Sequence, residues 1–105
     1  MSTEGQFDWA ERIKTTVRAE FDRVENALSG VANQQQEQDR TETLAILAIL
    51  EEKRTEVLGN SDPGYFIRIW QEVSDQVRRM LAEDARYQSI QAARRARKAG
   101  SIHAI

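Results

Sequence analysis

Apolar and polar positions follow a helical rhythm through most of this chain. Ile13, Val17, Phe21, Val24, Leu28 and Val31 recur at spacings of 4, 4, 3, 4 and 3, which draws one apolar stripe down one side of a helix. Glu11, Lys14, Arg18, Asp22 and Arg23 line the opposite side. Asp8 with Glu11 three residues on has the spacing of a capping box. The first helix is therefore placed at about residues 8–31, after a disordered lead-in over 1–6, with a weak break at Ser29-Gly30. Residues 33–43 then pass without an apolar side chain. They read as a polar connection between antiparallel helices, or as a polar helical extension standing clear of the core.

Leu44 to Leu50 reads Leu-Ala-Ile-Leu-Ala-Ile-Leu, apolar on every side for two helical turns. A run of this length fits a buried strand or a buried helix. Ala and Leu are strong helix formers, and Glu51, Glu52, Lys53 and Arg54 follow with no turn signal, so it is read as helix. A side chain facing every direction needs cover from more than one direction, which makes this run the expected hub. It is too short to span a membrane, which takes about 18 or more apolar residues. The second helix is set at about 40–58, with Asp39 and Glu42 as a capping box, Gly59 in a left-handed C-terminal position and Asn60 in the turn.

Asp62 as N-cap with Pro63 at the first helical position is the sharpest boundary, because Pro lacks the N–H that a first-turn residue leaves unpaired. Phe66, Ile69, Trp70, Val73, Val77, Met80, Leu81 and Tyr87 then supply the apolar face of a third helix at 63–99, with 100–105 as a flexible tail. Unbroken, that helix measures about 55 Å at 1.5 Å per residue, against roughly 33 and 28 Å for the first two. The predicted fold is thus all-α, a single domain: a three-helix bundle or helical hairpin with a long C-terminal helix that outruns its cover.

Charge changes the picture at that overhang. Residues 1–64 carry 7 Lys/Arg against 13 Asp/Glu, and residues 65–105 carry 8 against 4. The halves are thus at −6 and +4, and the last twenty residues hold Arg86, Arg94, Arg95, Arg97 and Lys98 with no acid. Such asymmetry points to an anionic counterpart: nucleic acid, a membrane surface, or the acidic half of a second copy. The absence of cysteine suits a reducing cytosol. Met1 to Gln6 has neither a basic n-region nor an apolar h-region, so no secretion signal or lipidation motif is read there.

Little catalytic chemistry is available. The one histidine, His103, lies at the C-terminus, so neither a Ser–His pair nor a zinc site is expected, and no cofactor. The five glycines are isolated at 5, 30, 59, 64 and 100, which gives no phosphate-cradling loop. Glu51, Glu52, Lys53, Arg54 and Glu56 read as a solvated helix face. Trp9 and Trp70 read as core or interface anchors. The Arg94-Arg95-Ala96-Arg97-Lys98 cluster complements a helix C-terminus or tracks phosphates, but it lacks interleaved aromatics and helix-turn-helix spacing for reading bases.

Two short stretches bear a family likeness. Val17-Arg18, Phe21-Asp22 and Val24-Glu25 resemble the start of the first helix of the all-helical chorismate mutases, and Tyr65, Arg68, Ile69, Trp70 and Gln71 are similar to their third helix. The resemblance implies an enzyme relying on Arg18 and Arg68. The family's second first-helix arginine falls near Gln35, and its lysine has no counterpart here. Those cations bind the dicarboxylate substrate in that family.

The reading that absorbs most of these features is a non-enzymatic helical interaction protein: an assembly subunit, adaptor or small regulator, cytoplasmic, pairing in coiled-coil fashion with a partner protein or with copies of itself. The expected contact residues are Tyr87, Ile90, Arg94, Arg95, Arg97 and Lys98. A nucleic-acid accessory role through the same basic segment is the alternative.

Overall fold

A computed structural model describes the backbone of residues 2–70 and 72–103. The side chains of residues 1–4, 6, 7, 74 and 101–103 are outside the description, as are residues 1, 71, 104 and 105 altogether. Among the described residues the fold is all-α, as the periodicity predicts, with helices α1 (Ser2–Gln34), α2 (Glu37–Leu58), α3 (Pro63–Ile69), α4 (Val73–Ala82) and α5 (Ala85–His103).

The stripe on α1 is as predicted through Val17, Phe21, Val24 and Leu28, but its last member shifts. Ala32 is buried at 2% exposure while Val31 stands 49% exposed: Ala32 lies close to three full turns beyond the buried Phe21, and Val31 falls short of that phase. The helix starts at Ser2 rather than at Asp8, which sits exposed inside it. Only Gly5 interrupts the earlier residues, and Glu4 in the first turn suits the positive end of the helix dipole. Ser29-Gly30 leaves no break. Residues 33–43 are almost wholly helical too: the connection is Gln35-Gln36, closed by the Gln35 N–H donating to the Ala32 carbonyl at 3.2 Å. Glu37 then opens α2 in the left-handed region, at φ 53°. This early entry leaves Asp39 and Glu42 inside the helix rather than capping it.

At its other end α2 finishes at Gly59, which is right-handed (φ −77°) and not left-handed as the sequence suggests. A Cβ there would lie 2.9 Å from the Thr55 carbonyl oxygen, so closeness and not φ calls for glycine. Asp62 caps α3 as predicted, accepting from the Gly64 N–H at 3.0 Å with Pro63 beside it.

The long third helix is the largest departure. It is cut twice, between Ile69 and Val73 and at Glu83–Asp84, into α3, α4 and α5. At the first cut the Gln76 side-chain amide donates to the Ile69 carbonyl, and its oxygen accepts from the Glu72 N–H at 3.3 Å. At the second, Asp84 accepts from the N–H groups of Arg86 (2.8 Å) and Tyr87 (3.3 Å), while the Gln88 amide donates to the Ala82 carbonyl at 2.9 Å. Side chains thus satisfy the groups that each helix end leaves open. The backbone of α5 stays helical through His103, past the point where a flexible tail is expected.

Helix α2 folds back on α1, and α3 and α4 also pack on α1. The main core joins Ala10, Val17, Phe21, Leu50, Val57, Phe66, Trp70 and Val77. Its aromatics are ordered: Phe21 and Trp70 lie 6.1 Å apart, Tyr65 meets Phe66 edge-on at 5.0 Å, and the Trp70 indole N–H donates to the Tyr65 hydroxyl at 3.0 Å. A second, smaller core joins Ile46, Ile49 and Leu81, flanked by Leu28, Tyr87 and Ile90. There α5 lies on α2 without touching α1, and the hub takes cover from α1, α4 and α5 while part of its circumference stays in water. Ile46, Ile49 and Leu50 are buried, Leu47 is half-buried, and Leu44, Ala45 and Ala48 face out. The result is elongated, 68 × 23 × 17 Å, with a radius of gyration of 17.3 Å against about 13 Å for a compact chain of this size.

Candidate interaction surfaces

The six residues that the sequence marks for contact lie on α5, and the structure divides them. Tyr87 and Ile90 are half-buried against Ile46, Ile49 and Leu81. The Tyr87 hydroxyl accepts from the Gln91 amide at 2.7 Å. Arg94 donates to Glu42 at 3.2 Å, to the Thr43 hydroxyl at 2.8 Å and to the Asp39 carbonyl at 3.3 Å. Arg97 grips Glu42 through both ends of its guanidinium, one at 2.8 Å, and reaches the Asp39 carboxylate at 3.3 Å. Only Arg95 and Lys98 point outward without an ion pair among the described residues.

The network is tied into the hairpin turn. Thr43, 1% exposed, donates its hydroxyl proton to the Gln35 side-chain oxygen at 2.6 Å while accepting from Arg94. Hydrogen bonds from Arg97 and then Arg94 hold the Glu42 carboxyl below its ordinary pKa, although partial desolvation works the other way. Nearer the α4–α5 cut, Arg86 bridges Asp84 (2.9 Å) and Glu52 (2.8 Å), and Lys53 reaches Asp84 at 3.1 Å. The bond from Arg86, joined by Lys53 and two backbone N–H groups, drives the Asp84 carboxyl well below the carboxylate range. Much of the positive charge on α5 is therefore neutralised by α2, which shortens any phosphate-binding stripe to Arg95, Lys98 and their surroundings.

The opposite end of the molecule holds a surface that the expected contact set misses. An open groove of about 670 Å³ runs between α1 and the α3–α4 bend, lined by Trp9, Arg12, Ile13, Thr16, Ile67 and Val73 with Trp70 at its side. The two tryptophans part company here: Trp70 is 1% exposed and Trp9 57%. Ile69 is half in water on the far side of the bend, at a smaller hollow of about 160 Å³ with Gln76, Arg79, Met80 and Glu83. A sequence signal for Trp9 existed. It lies one position before Ala10, which keeps the buried phase of α1, so its indole projects from the flank of the stripe.

The arginines of the mutase-like stretches do not share this groove. Arg18 is exposed on α1, and Arg68 turns back to Asp62 at 3.6 Å at the start of α3. Among the described residues no group of three His, Asp or Glu side chains is placed to hold a metal ion. No described helix is long and apolar enough to cross a membrane. Comparison with known proteins finds no matching family model, and no curated protein or solved structure that is significantly similar.

Proposed function

We propose that this chain is a non-enzymatic helical interaction protein that works as a subunit of an assembly, in the first instance with copies of itself. One observation carries the reading: Trp9 stands 57% exposed at the lip of an apolar groove in a chain with few large side chains to spare for its core. Indole is the side chain most enriched where interfaces concentrate their energy. The other large apolar residues in water, Ile69, Val31 and Leu44, extend the same theme to both ends of the molecule. The lack of cysteine suits work in a reducing cytosol.

Sedimentation equilibrium across the micromolar range tests this. The expected result is a mass at a multiple of 12.0 kDa. A strict monomer throughout that range overturns self-assembly. Two other outcomes replace the reading altogether: conversion of chorismate to prephenate that disappears in Arg18→Ala, or duplex-DNA binding that falls steeply with salt and is lost on removing residues 94–105.

A further inference from the structure

Helix α5 has few neighbours. It touches α2 and the end of α4, and no other helix. That contact is a matched row of charges, Arg86 on Glu52, Arg94 on Glu42 and Arg97 on Glu42 and Asp39, beside the small apolar patch of Tyr87 and Ile90. A row of this kind is complementary to α2 of any copy of the chain, not only its own.

What keeps it on its own α2 is a two-residue bend. Glu83 is already right-handed helical, at φ −82° and ψ −12°. Helical hydrogen bonds close on either side, from Glu83 N–H to the Arg79 carbonyl at 2.9 Å and from Gln88 N–H to the Asp84 carbonyl at 3.0 Å. No proline or glycine lies between Val73 and Ala99. The Asp84 carboxylate holds the turn open by taking the N–H groups of Arg86 and Tyr87. Residues 73–103 are thus one helix with a single turn unpicked, and closing that turn gives the unbroken helix that the sequence pattern predicts.

We propose that two copies of this chain exchange α5. The bend at Glu83–Asp84 straightens, α4 and α5 become one helix, and each α5 docks on α2 of the other copy. Every pair between α5 and α2 then re-forms between chains. The two states share these contacts and differ at the bend, so concentration selects between them; short hinges invite such exchange. The inference rests on the self-assembly reading but places the contact between copies at α5 rather than at the Trp9 groove.

Complementary charge reversal tests it. In Glu42→Arg, and in the Arg94→Glu/Arg97→Glu double variant, α5 meets like charge on its own α2 and on any identical copy. An equimolar mixture restores both contacts only by exchange, so the expected result is a dimer of mixed composition that neither variant forms alone, with circular dichroism confirming helical variants. Ala85→Pro, which suits the first position of a helix but forbids its continuation from Ala82, should abolish mixed dimers while leaving the bent monomer folded. Asp84→Ala should tighten wild-type dimerisation roughly ten-fold, since each chain loses the cap that favours the bend. A mixture that forms no mixed dimer overturns the exchange. If wild type still dimerises and Trp9→Asp abolishes that, self-assembly stands through the groove instead. If wild type and mixture are both monomeric, both readings fall.

Discussion

The two ends of this molecule hold their helices by different forces. Around Trp70, α1, α3 and α4 meet through Phe21, Val17, Phe66 and Val77, with an indole hydrogen bond within α3 and its C-cap and one cation, Lys14, 5.7 Å over the Phe66 ring. Around Glu42, α5 meets α2 through guanidinium–carboxylate pairs over a few half-buried apolar side chains. Burial of apolar area does not care about salt or moderate pH, whereas partly exposed ion pairs are screened over about 8–10 Å at ordinary ionic strength. One chain therefore contains a permanent end and a conditional end.

The largest effect that breaks the comparison is expected at the permanent end. Trp70→Ala removes the biggest fully buried side chain and should cost about 3–5 kcal/mol, a large part of the 5–15 kcal/mol typical of a domain. Urea denaturation should show the midpoint collapse for the whole chain, α5 included. A loss confined to α3 would mean that the two ends do not share one cooperative unit.

Acid should act chiefly on the other end, because the lowered carboxylate of the α1 stretch, Glu20, is held by Arg23 of its own helix. The Glu42 and Asp84 carboxyls sit below their ordinary values of 4.5 and 3.8 in the folded chain, chiefly through hydrogen bonds from Arg97 and Arg86. Their contribution is complete above those ordinary values and fades as pH falls beneath them, because release of α5 is then coupled to proton uptake. Amide exchange of residues 85–100, taken relative to the intrinsic rate at each pH, should accelerate on acidification below about pH 4.5, and at neutral pH in Glu42→Gln, while residues 10–28 stay protected. Equal acceleration along both segments would erase the distinction.

The smallest effect sharpens the picture at the turn that joins α1 to α2. Glu37 holds φ 53° without being glycine. Glu37→Gly should stabilise the hairpin by about 0.5–1 kcal/mol, read as a rise in melting temperature with no change in α5 exchange.

The sequence made the permanent end readable and hid the conditional one. The stripe from Ile13 to Leu28 and the Asp62-Pro63 start are local patterns, written in periods and caps, and they survive in the structure. The cuts at Trp70 and Glu83–Asp84 carry no glycine or proline, and are closed by Gln76, Gln88 and Asp84, whose side chains read equally well as helix surface. Arg94 and Arg97 stood out as a basic cluster, but their acids lie some 50 residues earlier on another helix. Asp39 and Glu42 had the spacing of a cap, and it is these arginines that claim them. Local pattern does not record which distant charge a side chain will meet.

The opposed settings of the two tryptophans have a spectroscopic consequence. The Trp70 indole is dry and donates to Tyr65, while the Trp9 indole is mostly in water. The fluorescence of the chain is then the sum of a blue, shielded emitter and a red, accessible one. Iodide in solution should quench the second and spare the first, and Trp9→Phe should leave a pure reporter of the core. A ligand or subunit entering the groove would protect the red component, whereas loss of the fold would convert the blue one, so a single cuvette separates occupancy from unfolding.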